Sequence, residues 1–284
     1  MTASSTGSAT PSAELVRLSV AVPAAQAEMT LAAACAVLGS GCRESSLEDG
    51  RTRLDFWVTP ARADGAAARV RALLAPIDGA EVWRAAEDPG WQTAMRDFHQ
   101  PVDVAGRIRV RPPWHARTGE AVDVVIDPAM AFGTGQHDTT RGCLELLLAV
   151  APGPVVDIGC GSGVLAIAAA KLGFAPVWAW DLDPLAVAAT VANARANAVA
   201  LAVGVRNALE ARLPAADVVL ANLTATVLTA LAVRIAERPP RAAILSGMRP
   251  HELDPVCRAW APTGLTAAAR RVGPEWGSVL LTRP

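Results

Sequence analysis

The stretch VVDIGCGSGVLAIAAAKLG, residues 155–173, concentrates residue types that can do chemistry. A short apolar run ends on Asp157, a glycine-rich turn follows, and a helical pattern opens near Gly163. Glycines at 159, 161 and 163 let the backbone approach a ligand closely and adopt turns that side chains forbid. A dinucleotide fingerprint, GxGxxG, needs its third glycine one position later, where this chain has Val164. That departure argues against a nicotinamide-dependent oxidoreductase.

Three further stretches carry polar groups in suggestive places. Asp181, in VWAWDLDP, follows the glycine turn at close to the roughly 20-residue interval at which an acidic residue meets ribose hydroxyls. Asp183 is an alternative ribose ligand, and it also suits the cap of a helix opening at Pro184. ANLTA, residues 221–225, places Asn222 after an apolar strand, where its side-chain carbonyl can accept from an amine N–H. DPAMAFGTGQHDTTRGCLELL, residues 127–147, leads through His137 into a helix with Asp138 or Thr139 as its cap. The GxGxG spacing is the one S-adenosylmethionine enzymes use, having no pyrophosphate to cradle. Cys160 inside the turn reads as packing.

The elements that must position these groups alternate. Short apolar runs at Val122–Ile126, Val155–Ile158, Val177–Trp180, Val218–Ala221 and Ala242–Ser246 are separated by helical patterns around Thr140–Ala149, Val164–Leu172, Pro184–Asn197 and Ala225–Glu237. Buried strands alternating with helices imply a Rossmann-like, doubly wound α/β domain with a parallel sheet over residues 121–284. Upstream, residues 14–87 predict β-α-β-β-α-β, a small ferredoxin-like α+β domain. Its strands are Leu15–Val22, a weak one around Arg43–Leu47, Leu54–Val58 and Ala80–Arg84; its helices are Ala24–Leu38 and one capped by Asp64 that runs to Leu74. Residues 88–120 read as a linker region with DPGW, a short helix over Trp91–Phe98 and a strand near Ile108–Arg111, and residues 1–13 as a disordered tail.

Composition excludes several classes. A net charge of −1 gives no field that would gather nucleic acid or an anionic membrane. No window supplies the roughly 18 uncharged apolar residues of a membrane helix, and the N-terminus lacks the pattern of a signal peptide. The expectation is a cytoplasmic monomer. The five cysteines are scattered without a CxxC pair, which argues against disulfides and structural zinc. Tyrosine is absent, removing one candidate general base, and Lys171 is the sole lysine.

Together these segments resemble the PrmA family, the methyltransferases of the eleventh protein of the bacterial large ribosomal subunit. The loop before the glycine turn resembles that family's FGTGxHxTT signature, and DPGW, ANL, Leu245-Ser246-Gly247 and Glu275-Trp276 follow its order. The resemblance runs from about Pro89 onward. It implies an S-adenosyl-L-methionine cofactor held by Thr140, Gly159, Asp181 and Asn222, to which the reading of the glycine turn adds Asp157 and Gly161, and a substrate-recognition role for residues 14–87. Leu223 and Thr224 stand where the family usually has an Ile-Leu pair, and Met248 to Glu252 replace its usual Ile-Leu start and Gln. The implied reaction is N-methylation of lysine side chains or an α-amine, with Asn222 as the catalytic residue that orients the neutral amine. It needs no metal and no covalent nucleophile, and His137 is a less favoured proton relay. Methylation of another protein or of a small-molecule amine is the alternative; a catalytically inactive binding module conflicts with the intact Asp157, Gly159, Gly161, Asp181 and Asn222.

Overall fold

Alternation of apolar and polar residues builds the first strands, and a computed structural model describes residues 16–38, 42–85, 99–119, 121–128 and 137–284. The chain divides into two compact units, Met1–Ala94 and Met95–Pro284. The tail over residues 1–13, DPGW, the short helix over Trp91–Phe98 and the FGTGQ loop lie outside the described residues.

In the first unit, β1 (Val16–Pro23) buries Leu18, Val20 and Val22 on one face, and β3 (Arg51–Val58) buries Leu54, Phe56 and Val58. With β2 (Cys42–Ser46) and β4 (Glu81–Ala85) they form an antiparallel sheet in the order β2-β3-β1-β4. Helices α1 (Ala27–Leu38) and α2 (Pro60–Leu74) pack on the apolar face through Ala34, Leu38, Ala63, Ala66, Ala67 and Val70. The element order is β-α-β-β-α-β. Asp64 does not cap α2: the helix starts at Pro60, whose ring presets the first-turn φ, and Asp64 instead ion-pairs with Arg84.

The second unit holds a seven-stranded sheet. Its strands are β8 (Val155–Ile158), β9 (Val177–Asp181), β10 (Ala202–Val205), β11 (Val218–Asn222), β12 (Ala242–Met248), β13 (Thr266–Val272) and β14 (Gly277–Thr282). The order is β10-β9-β8-β11-β12-β14-β13. Six of these strands run in one direction and β14 alone is reversed, antiparallel to both β12 and β13, so the sheet is mixed where an all-parallel one was expected. Alternate residues face opposite sides. Val155, Val218 and Leu220 meet α3 (Asp138–Leu147), α4 (Val164–Lys171) and α5 (Pro184–Ala196). Val156, Val219 and Ala221 meet α6 (Ala225–Ala236) and α7 (Leu253–Trp260). Trp260, fully buried, donates its indole N–H to the Leu228 carbonyl at 2.9 Å, so burial leaves no orphan donor.

The apolar run at Val122 was expected to open this sheet and does not. β7 (Val122–Val125) pairs in parallel with β6 (Ile108–Arg111), which pairs antiparallel with β5 (Val102–Val104) in a separate three-stranded sheet. A part-buried fork from Arg111 to Asp123, 2.7 and 2.8 Å, joins β6 to β7. The described part of the stretch read as linker, residues 99–119, therefore belongs to the second unit. No described helix is long and apolar enough to cross a membrane.

Candidate active site

Parallel strands bring their carboxyl ends to one edge of a sheet, the usual place for a ligand in such folds. There β8 hands over to the glycine turn, and the turn is tied to the next strand and helix. Gly159 N and Cys160 N donate to the Trp180 carbonyl at 2.8 and 3.1 Å. Gly161 N donates to Asp181 Oδ2 at 2.9 Å. From α5, Thr190 Oγ1 donates to the Gly161 carbonyl and Asn193 Nδ2 to the Ser162 carbonyl, each at 2.9 Å. Cys160 is buried, its thiol 3.3 Å from Thr190 Oγ1 and its pKa pushed up to about 12 by burial, which suits packing and not nucleophilic work.

Asp181 closes β9 with its other oxygen accepting from Asp183 N at 3.0 Å. A carboxylate offers about four lone-pair sites, so two backbone donors leave room for hydroxyls. Asp183, in turn, caps α5 by accepting from Leu185 N at 2.8 Å.

Two buried acceptors are incompletely used. Asp157 is 1% exposed; its Oδ2 accepts from Ala166 N at 3.1 Å, and its Oδ1 has no hydrogen-bond partner among the described residues. Burial pushes its carboxyl up to about 7, the nearby Asp181 charge adds to the rise, and the Ala166 N–H opposes it. Thr140 is fully buried at the start of α3 with Oγ1 likewise unpartnered among the described residues. Each such group costs about 1–3 kcal/mol unless something polar meets it. A site with these acceptors fits a ligand carrying N–H and O–H donors.

Asn222 is the last residue of β11 and is paired with Ser246 of β12, not placed in a turn. Its Nδ2 donates to Thr139 Oγ1 at 3.1 Å. His137, not Asp138 or Thr139, caps α3, its imidazole accepting from Thr139 N. The His137 ring meets the edge of Trp276 at a centroid distance of 5.2 Å, and the Arg249 guanidinium lies 4.5 Å over the same indole.

Leu223, one of the departures from the family pattern, is wedged between two glycines. A Cβ on Gly159, at φ +75°, would stand 2.5 Å from Leu223 Cδ2, and one on Gly247, at φ +86°, 2.5 Å from the Leu223 carbonyl oxygen. At Gly247 the Leu223 backbone leaves no room for a side chain, whereas at Gly159 the clash is with the end of the Leu223 side chain and it is the positive φ that favours glycine.

The structure thus joins Asp157, Gly159, Gly161 and Asp181 around one turn, and joins Asn222 to the residue next to Thr140. The contacts of Thr139 with Asn222 and of Arg249 with Trp276 escaped sequence reading. Thr139 was visible only as a helix cap, and nothing local to residues 249 and 276 announces a contact across 27 positions.

A family model described as ribosomal protein L11 methyltransferase (PrmA) matches residues 42–284. Among curated proteins, the chain is 40% identical over 188 residues to a ribosomal protein L11 methyltransferase of Klebsiella pneumoniae, a match covering 62% of each chain. It is 38% identical over 250 residues to the one of Pelotomaculum thermopropionicum, covering 82% of this chain and 80% of that one. Among solved structures, a ribosomal protein L11 methylase from Lactobacillus delbrueckii subsp. bulgaricus superposes with a TM-score of 0.59 at 26% identity, covering 65% of this chain and 99% of that one.

Proposed function

The chain belongs to the ribosomal protein L11 methyltransferase family, and from that premise we propose that it transfers methyl groups from S-adenosyl-L-methionine to amines of the eleventh large-subunit ribosomal protein. The amines are lysine side chains, the α-amine, or both. The observation that carries this reading is the convergence, at one sheet edge, of a glycine turn tied to Asp181, two buried acceptors on Asp157 and Thr140, and a strand-end Asn222.

In this reading Thr140, Asp157, Gly159, Gly161, Asp181 and Asn222 hold the cofactor, with the Asp181 carboxylate accepting from ribose hydroxyls. When bound, the cofactor supplies an electrophilic methyl group. The remaining work is orientation. Asn222 Oδ1 accepts from an N–H of the incoming amine and so directs its lone pair. A lysine amine, with an ordinary pKa of about 10.4, must first shed a proton; desolvation on approach favours the neutral form, and water takes the proton released by alkylation. The first unit, with its ferredoxin-like order of elements, serves as the substrate-recognition domain. The protein works as a cytoplasmic monomer without binding nucleic acid.

Intact mass spectrometry of the recombinant eleventh large-subunit protein, incubated with the enzyme and S-adenosylmethionine, tests the reading. Methyl-sized increments that vanish with Asp181→Ala support it. No increment, with cofactor binding intact, would sink the substrate assignment and move the search to another protein or a small-molecule amine.

A further inference from the structure

We propose that Thr139 is a positioning residue, which fixes the direction in which the Asn222 carboxamide faces; the inference rests on the role given to Asn222 above. His137 Nδ1 accepts from the Thr139 backbone N–H at 3.4 Å, so that nitrogen carries no proton. Thr139 Oγ1 lies 2.7 Å from the same nitrogen, and its hydroxyl proton therefore points to it. With its one proton committed, the hydroxyl can only accept from its other neighbour. That neighbour is Asn222, 3.1 Å away.

An Asn side chain presents a donor on one side and an acceptor on the other, and little in its shape distinguishes them. A hydroxyl that can only accept distinguishes them completely. It takes Nδ2–H and turns Oδ1 the other way, leaving the oxygen to meet an amine. Were the carboxamide flipped, two oxygens would face each other across 3.1 Å with no proton between. Thr139 is 2% exposed, so water does not compete for the hydroxyl. The helix cap and the substrate-facing amide are thereby linked: the N-terminus of α3 sets the polarity of a side chain at the end of β11, 83 positions away.

Two measurements decide the matter. The first needs no turnover: hydrogen exchange of the Asn222 side-chain amide, followed by nuclear magnetic resonance. Exchange accelerates about tenfold in Thr139→Val, the scale of one lost hydrogen bond, and returns toward wild type in Thr139→Ser, which keeps the hydroxyl. The second is a kinetic cycle. Thr139→Val lowers kcat about tenfold alone and adds nothing on an Asn222→Ala background, since its effect passes through Asn222. A merely structural role for Thr139 multiplies the two losses. Unchanged exchange in Thr139→Val, or losses that multiply, would overturn the proposal. If the wild-type protein transfers no methyl group, the functional reading fails while the exchange measurement still decides this one.

Discussion

A carboxyl with its charge held in an apolar surround is the most consequential single residue here. Asp157 titrates at about 7 in the folded protein, against about 3.9 in an unfolded chain. A raised folded pKa means that the folded state holds the proton more tightly. Its stabilising contribution is full below about pH 4, declines as pH rises and is lost through about pH 7. Thermal denaturation of the unliganded wild type and Asp157→Asn should therefore diverge: the variant gains relative stability between about pH 4 and 7, then levels off. A difference that does not change with pH would place the titration elsewhere. A steric prediction stands beside it. Gly247→Ala puts a methyl 2.5 Å from the Leu223 carbonyl in a backbone conformation alanine rarely adopts. Residue 223 must shift and take Asn222 with it, so methyl transfer should fall by at least about tenfold, a loss of about 1.4 kcal/mol in the barrier. Activity within twofold of wild type would show that the backbone there yields freely.

At the scale of elements, α5 acts as a bracket. Asn193 donates to the Ser162 carbonyl in the glycine turn and accepts from Asp127 N at 3.1 Å. One turn further on, Asn197 exchanges hydrogen bonds with both backbone groups of Val125, at 2.8 and 2.6 Å. Asn193 on α5 and Asn197 at its C-cap thus hold the small β5-β6-β7 sheet, and Asn193 ties it to the glycine turn. Both are buried, so truncation leaves backbone groups unmet. Asn193→Ala should cost about 1–3 kcal/mol, and it should weaken cofactor binding measured by calorimetry. A variant that loses stability but binds cofactor normally would show the turn holds itself. The helices α4, α5 and α6 were legible from spacing because each has apolar positions to hide, and Gly163 and the Asp183 cap mark the starts of α4 and α5. The strands β10 and β13 were not legible. Edge strands bury little: Ala202 and Val205 are exposed, as are most residues of Thr266–Val272, so their sequences show no alternation to read.

For the molecule as a whole, separate cores make a separable prediction. The first unit has its own apolar cluster around Leu18, Phe56 and Val70, distinct from the two clusters flanking the large sheet. Hydrogen–deuterium exchange with and without S-adenosylmethionine should show protection over residues 157–165, 181–185 and 222–224, with residues 16–85 unchanged. Protection spread equally over both units would contradict a cofactor site confined to the second.

Sequence alone determined the alternating α/β pattern, the glycine turn with its spacing, the acidic residue at the next strand end, and the order of Asn222 after them. Those signals are local: each arises from a few neighbouring residues whose types satisfy a turn, a cap or a strand. Tertiary structure decided the rest. Val122–Val125 has the apolar character of a central strand, but pairing depends on which neighbour supplies free backbone groups, and β6 supplies them. The antiparallel insertion of β14 between β12 and β13 leaves no trace in composition, because a buried strand is apolar whichever way it runs. Thr139 next to Asn222, and Leu223 between two glycines, are meetings of residues far apart in the chain. Their chemistry exists only once the sheet edge has brought them within a few ångströms.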